Sequence, residues 1–209
     1  MGKARIIVKG NLFAKFMEYT DVEVDGFVEA DSAINCNVVS NDKVIFNGGH
    51  ASIVGGKVYG CAGIEVQNLG NDAFIKTEVH VGVHKKIKIK IAELEKLVDQ
   101  KQMLLNNINA GIKQIEQMMG SAADGMNLEE KKLALVRAKI EKTAELTEDK
   151  EELERLKGIV ERSTGATVQV LEHVYPNVEV CINNSKLVTK EEFDKIEFKE
   201  QDLSLIHIS

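Results

Sequence analysis

Apolar and polar residues alternate in short runs through the first 84 residues of the chain. Runs at residues 6–8, 22–24, 44–46, 64–66 and 79–81 each have the form of a short strand followed by a turn residue. Their starts recur at intervals of roughly 15 to 22 residues, the length of one coil of a parallel β-solenoid. Successive coils of a solenoid bury their apolar faces against each other, so this spacing favours a solenoid. A β-sandwich is the alternative.

From residue 87 the apolar period changes from two to about three and a half. The first row consists of Ile87, Ile91, Leu94, Val98, Leu105, Ile108, Ile112, Ile115 and Met119, with Lys101 as a polar member. A second row consists of Leu133, Val136, Ile140 and Thr143 and then, after a register shift, Leu146, Leu153, Leu156 and Val160. Alternating steps of four and three predict the apolar seam of a coiled coil.

The two rows are separated by a glycine-containing break at residues 120–125. Asn127 followed by Glu130 predicts an N-cap for the second helix. Each helix has about 34 residues and a length of about 50 Å. Equal lengths and a short link predict an antiparallel hairpin that returns the chain to its starting point.

Strand-like alternation resumes after Gly165, at residues 167–171 and 178–183. Tyr175, Pro176 and Asn177 predict a turn between these two strands. A further solenoid corner is predicted at Asn183, Asn184 and Ser185. The predicted class is α+β, a parallel β-solenoid interrupted by a long antiparallel coiled-coil hairpin. Residues 1–84 form solenoid coils, 85–164 the hairpin with its tip near 120–127, and 165–202 the returning strands that complete the solenoid. Residues 203–209 have the look of translated adapter sequence, and we expect a non-native tail there.

Several segments resemble the flagellar assembly protein A family of bacteria. They are residues 14–18 (AKFME), 53–60 (IVGGKVYG), 79–82 (VHVG) and 175–178 (YPNV). The resemblance covers nearly the whole chain and corresponds to the C-terminal half of a typical family member. It implies a right-handed parallel β-solenoid and a cytoplasmic scaffold or regulatory role associated with polar flagella, with no catalytic motif to transfer.

Composition limits the classes of partner. The formal net charge is -6, which provides no general basic field for nucleic acid. Three cysteines without a CxxC spacing predict neither a disulfide framework nor a structural zinc site, and fit a reducing compartment. The apolar runs are too short for membrane insertion. We therefore expect a cytoplasmic protein that does not bind nucleic acid and does not insert into a membrane.

Candidate chemistry is sparse. The glycines at 48–49 and 55–56, the latter followed by Lys57, are better explained as solenoid corners than as a phosphate loop, because no hydroxyl residue follows the lysine. His80 and His84 would lie about 13 Å apart on an extended strand, too far to share a metal ion. A left-handed β-helix acyltransferase is disfavoured because its six-residue repeat is not sustained. We therefore expect no enzyme, with no catalytic, cofactor-binding or metal-binding residues.

These observations favour a non-catalytic scaffold or adapter that binds protein partners, or another copy of itself, through the hairpin. The expected binding residues at the hairpin tip are Met118, Met119, Asp124 and Met126, because methionines beside flexible glycines suit a partner-binding surface. The expected coiled-coil seam consists of Ile91, Leu94, Val98, Leu105, Ile108, Ile112, Ile115, Leu153, Leu156 and Val160. A self-assembling structural polymer is the alternative.

Overall fold

The computed structural model describes residues 4–119, 125–201 and 204–208. The chain divides into two compact units, one formed by Met1–His84 with Gly158–Ser209 and the other by Lys85–Lys157. The strands are β1 (Ala4–Val8), β2 (Leu12–Glu18), β3 (Thr20–Val24), β4 (Val28–Ser40), β5 (Lys43–Phe46), β6 (Ser52–Gly60), β7 (Gly63–Leu69), β8 (Thr77–Val81), β9 (Val168–Val174), β10 (Val178–Ile182), β11 (Ser185–Val188), β12 (Phe193–Gln201) and β13 (Ser204–Ile208). The helices are α1 (Lys85–Met119) and α2 (Gly125–Arg162).

The first unit is a parallel β-solenoid. One ladder of parallel pairs runs from β1 through β3, β4, β6 and β8 to β10, and a second runs from β2 through β4, β5 and β7 to β9. Residues that pair between neighbouring coils are 16 apart in the early coils and 20 or 21 apart in the later ones. The solenoid with two inserted helices that the spacing predicted is therefore confirmed.

Small branched side chains fill the solenoid interior. Val28, Val38, Val44 and Val58 are fully buried, one or two from each successive coil. Valine suits this position because its branched side chain favours the extended backbone and its small volume fits between closely spaced strands. Burying each of these side chains contributes about 1.5–3 kcal/mol. These valines thus form part of the core, together with larger side chains such as Phe46, Ile53 and Ile64.

The glycine pair at Gly55 and Gly56 lies at a corner of the solenoid, within β6. Both have left-handed backbone, with φ of 67° and 71°. A Cβ atom on Gly56 would lie 2.1 Å from the backbone oxygen of Cys36 on the preceding coil. The Gly55 N–H donates to Thr77 Oγ1 at 2.8 Å on the following coil. Glycine is required here because two coils approach closely, and no helix follows that would make this segment a phosphate loop.

The strands after the helices only partly continue the parallel pattern. β9 and β10 add to the solenoid as parallel neighbours of β7 and β8. β11 pairs antiparallel with β10, β12 pairs antiparallel with β9, and β13 pairs antiparallel with β12. The corner predicted at Asn183, Asn184 and Ser185 is therefore wrong. Asn183 and Asn184 form the two-residue turn of a β10–β11 hairpin, with Asn183 at a φ of 52°.

Two long helices occupy the insertion between β8 and β9. α2 begins at Gly125, so Asn127 lies inside the helix and the N-cap predicted at Asn127 is wrong. Gly165 follows the end of α2 with a φ of 74°, the left-handed conformation that commonly terminates helices. Within the described parts of the chain, neither helix has a stretch apolar enough to span a bilayer.

Candidate functional site

Ion pairs between α1 and α2 define how the two helices run. Lys90 pairs with Glu152 at 2.5 Å, and Lys132 pairs with Glu116 at 2.8 Å. The first contact joins the start of α1 to the later part of α2, and the second joins the end of α1 to the beginning of α2. The helices are therefore antiparallel and form a hairpin.

Apolar residues of both helices are buried in this hairpin. On α1 the buried residues are Leu105 and Ile108, and on α2 they include Leu146, Leu153 and Leu156. The other predicted seam residues, Ile91, Leu94, Val98, Ile112, Ile115 and Val160, are partly buried. The hairpin thus has a continuous row of residues on α1 that are at least partly excluded from solvent.

In the first half of the second apolar row, Val136 is partly buried, whereas Leu133, Ile140 and Thr143 are exposed and were predicted wrongly. Leu133 and Ile140 are 51% and 66% exposed, so they do not face α1. Leu135 faces α1 instead, because its Cδ1 atom would lie only 3.4 Å from a Cβ atom built on Gly111. Leu135 therefore lies against Gly111 of α1, while Leu133 and Ile140 are exposed.

The predicted binding tip falls only partly within the described residues. Met118 is 50% exposed and Met119 is partly buried. Asp124 and the side chain of Met126 lie outside the described residues. A role for the tip in partner binding is therefore retained as a proposal.

An exposed apolar row, here called the α1 stripe, runs along α1 beside the buried one. It consists of Leu97, Leu104 and Met118, whose exposed fractions are 38%, 44% and 50%. Their numbers differ by multiples of seven, and the exposed row is interrupted at the intermediate position, where Gly111 lies against Leu135 of α2. Residues seven apart lie on one line along a helix, because seven residues complete nearly two turns. Sequence reasoning missed this row, although its seven-residue spacing was visible beside the seam.

The solenoid carries a cluster of ionisable side chains, here called the β8–β10 array. It consists of Glu78 and His80 on β8 and Glu179 and Cys181 on β10. The strands are adjacent and parallel, and their register pairs Glu78 with Glu179 and His80 with Cys181. Glu179 is 8% exposed, whereas His80 and Cys181 are partly buried.

Each of the two carboxylates of the array is paired with a lysine. Lys76 Nζ donates to Glu78 at 2.5 Å, and Lys186 Nζ lies 2.8 Å from Glu179. The hydrogen bond from Lys76 lowers the pKa of Glu78, and the one from Lys186 lowers the pKa of Glu179. Both carboxylates are therefore ionised at neutral pH.

The other two members of the array are neutral in the same environment. Burial is the main cause that lowers the pKa of His80, and the positive charge of Lys57 adds to it. Burial, followed by the negative charge of Glu179, raises the pKa of Cys181. The array therefore combines a neutral imidazole and a protonated thiol with two carboxylates.

The pair of histidines considered from the sequence does not form a cluster. His84 packs its ring against Tyr59, with ring centroids 5.9 Å apart, while His80 lies beside Glu179 and Cys181. The distance along the chain hid this arrangement. Residues 80 and 181 are separated by the whole helical insertion, and only the strand register brings them together.

A family comparison agrees with the solenoid fold. The chain matches the family described as "Flagellar Assembly Protein A beta solenoid domain" over residues 1–205. Comparisons with curated proteins and with solved structures gave no match. The family match spans nearly the whole chain, both the strands and the inserted hairpin. The chain therefore belongs to the flagellar assembly protein A β-solenoid domain family.

Proposed function

We propose that this domain is a non-catalytic scaffold of flagellar assembly that binds a partner protein through its helical hairpin. The observation that carries the proposal is the α1 stripe, in which Leu97, Leu104 and Met118 remain exposed while a neighbouring row on the same helix is buried. Large apolar side chains in one line on a helix are typical of a surface that packs against another helix. Family membership supplies the link to flagellar assembly.

The dimensions of the α1 stripe favour an amphipathic helix as the partner element. From Leu97 to Met118 the stripe extends over about 30 Å at 1.5 Å per residue. A partner helix of about 20 residues would cover that length. The exposed Met118 at one end has a flexible thioether side chain that adapts to different neighbours. The proposal thus places the contact along the side of α1, and it includes the predicted tip residue Met118.

The proposal places the scaffold in the cytoplasm. Cys36, Cys61 and Cys181 are all free thiols, and two of them are buried. Free buried cysteines that behave as small apolar side chains are common in reducing compartments. No residue is assigned a catalytic role, since the family description names an assembly protein and no reaction.

A pair of double variants tests the proposal in the source bacterium. The stripe variant combines Leu97→Gln with Leu104→Gln, and the control variant combines Leu133→Gln with Ile140→Gln. All four residues are exposed on the hairpin, so both variants replace two large apolar side chains without touching the buried row. Far-UV circular dichroism and thermal melting of the purified proteins establish that both hairpins remain folded.

The first measurement is the number of flagella per cell, counted by electron microscopy. The second is the set of photo-crosslinks formed from a probe amino acid at position 100, because Gln100 is exposed on α1. We expect the stripe variant to lose crosslinks to flagellar assembly components and to reduce the number of flagella, while the control variant behaves like wild type. If the stripe variant keeps both the crosslinks and the flagella, partner binding through this surface is wrong. Crosslinks that join two copies of the chain would instead identify self-assembly.

A further inference from the structure

The β8–β10 array has the geometry of a ligand set rather than of scattered surface charges. Neighbouring strands lie about 4.8 Å apart, and residues two apart on one strand point to the same face. The paired registers of Glu78 with Glu179 and of His80 with Cys181 therefore form a two-by-two arrangement of donors on one face. Each of the four side chains can supply an oxygen, nitrogen or sulfur atom to a metal ion.

Three of the donor atoms are already close together. One ring nitrogen of His80, one carboxylate oxygen of Glu179 and Cys181 Sγ all lie within 4.8 Å of one another. In a tetrahedral zinc site, metal–ligand distances of about 2.0–2.3 Å place the ligands roughly 3.5 Å from each other. Side-chain rotations that move these donor atoms by roughly an ångström would therefore bring them into ligand positions, and the strands would not have to move.

A second, independent observation concerns His80 alone. Its Nε2 atom is buried and has no hydrogen-bond partner among the described residues. The nearest acidic oxygen in an ion-pair contact with it is Glu78 Oε2, at 3.7 Å, which is too long for a hydrogen bond. A buried polar atom without a partner is unfavourable by about 1–3 kcal/mol and calls for an explanation such as a bound ion. The side chain that carries this unpaired nitrogen is the one whose ring lies close to Glu179 and Cys181.

We propose that His80, Glu179 and Cys181 bind a divalent transition-metal ion, Zn²⁺ foremost, with Glu78 as the fourth ligand. One thiolate, one imidazole and carboxylate oxygens make a donor set of borderline softness, which suits Zn²⁺ better than Mg²⁺ or Ca²⁺.

The charges around the array set the conditions for binding. Lys57, Lys76 and Lys186 oppose a cation, but their side chains are 49%, 60% and 56% exposed. Long exposed lysine side chains can turn into solvent and release the carboxylates, at little energetic cost. The Cys181 thiol must lose its proton to the solvent when the metal–sulfur bond forms, so binding releases a proton and weakens as the pH falls.

A metal at this place would link the solenoid across the insertion. Glu78 and His80 precede the two helices in the chain, whereas Glu179 and Cys181 follow them. Binding to ligands on both strands stabilises the folded pairing of β8 with β10, because the unfolded chain offers no such preformed site. The inference is independent of the partner-binding role of the hairpin.

Co²⁺ is the probe for the test, because its absorption spectrum reports both thiolate ligation and tetrahedral geometry. The purified full chain, freed of metal with a chelator, is titrated with CoCl₂ and then with ZnCl₂. We expect one equivalent of Co²⁺ to produce a near-ultraviolet band from sulfur-to-cobalt charge transfer and intense visible bands, and Zn²⁺ to abolish both. Cys181→Ser should remove the near-ultraviolet band, and His80→Gln should weaken binding at least about tenfold.

Cys36→Ala is the matched control, since Cys36 is a buried cysteine of the same solenoid that lies outside the array, and it should leave the spectrum unchanged. If Cys181→Ser does not fold, protection of Cys181 from iodoacetamide by Zn²⁺ in wild type, and its loss in His80→Gln, provides the second measurement. Absence of the charge-transfer band in wild type, or its persistence without Cys181, overturns the proposal. The array would then be an ion-pair ladder between strands.

Discussion

Lys101 of α1 and Asp149 of α2 form an ion pair inside the helical hairpin, with Lys101 Nζ 2.5 Å from the carboxylate. Both side chains are only 18% exposed, and Glu145 lies on the other side of the ammonium at 3.3 Å. Lys101 is the one polar member of the apolar row predicted on α1. The lysine in the seam of α1 is therefore paired with two acidic residues on the facing helix. Such a pairing fixes the register of the two helices.

Replacing Lys101 should weaken the hairpin more than replacing a lysine at its surface. Lys101→Met keeps a side chain of similar length but removes its positive charge. Asp149 and Glu145 then lie close together without their cation, which is unfavourable in a partly buried site. Lys132→Met is the control, since the Lys132–Glu116 pair is 36% and 50% exposed. Thermal melting followed by far-UV circular dichroism should show a clearly larger fall in Tm for Lys101→Met. Equal shifts would contradict a special role for the seam pair.

A methyl group on Gly56 should destabilise the solenoid. Gly56→Ala would place Cβ 2.1 Å from the Cys36 oxygen and force a non-glycine residue to adopt a φ of 71°. We expect a loss of at least about 2 kcal/mol in unfolding free energy. Gly49→Ala is the matched control, because nothing lies within 4 Å of a Cβ atom there, and it should change stability by no more than about 0.5 kcal/mol. Urea denaturation of the two variants measures the difference, and similar midpoints would refute the corner argument.

The strands that alternate cleanly were predictable from the sequence, and those that bend were not. Predicted runs at residues 22–24, 44–46 and 64–66 lie within β3, β5 and β7. The longest strand, β4, was missed, because Asn35 inside it has a φ of 51° and the alternation changes phase there. Two neighbouring residues, Ser32 and Ala33, are both buried just before that bend. A period-two pattern does not describe a strand that turns a corner.

The candidate sites were less predictable than the fold, because strand register and helix rotation create them. The proximity of His80 to Cys181 follows from the pairing of β8 with β10, which no local pattern encodes. Likewise, Leu135 lies against Gly111 of the other helix whereas Leu133 is exposed, and this rotation of α2 is a matter of packing between the helices. The heptad pattern identified which segments are helical, but two rows on α2 compete for the facing position.

Acid should weaken the hairpin through Glu152. Hydrogen bonds from Arg155 and Lys90 lower the pKa of Glu152 to about 2, whereas an unfolded glutamate titrates near about 4.3. Because the folded pKa is the lower one, the stabilisation is complete above about pH 4.3 and is lost as the pH falls toward about 2. We expect Glu152→Gln to cost about 1 kcal/mol or less at pH 6, since the pair is partly exposed, and nothing near pH 2.

Urea denaturation at several pH values measures this difference between wild type and Glu152→Gln. Glu151→Gln is the control, because Glu151 is exposed on the same helix. Its stability difference from wild type should stay small at every pH. A Glu152→Gln difference that does not change between pH 6 and pH 2 would show that the ion pairs contribute no pH-dependent stability.

The Tyr59 hydroxyl should stabilise the last coil before the helices. It donates a hydrogen bond to the Gly82 oxygen at 2.5 Å, and the residue is only 8% exposed. Burial raises the pKa of Tyr59 well above its ordinary value, so the hydroxyl is protonated and donates at neutral pH. Tyr59→Phe leaves the Gly82 oxygen without this donor and should cost about 1–3 kcal/mol of unfolding free energy. Tyr19→Phe, at a tyrosine that is 54% exposed, should cost much less.

Hydrogen exchange of the Gly82 and Val83 amides, compared between the two variants, locates the effect. Faster exchange in Tyr59→Phe alone would establish that the bond anchors the chain where it leaves β8, and equal exchange would assign Tyr59 a packing role only.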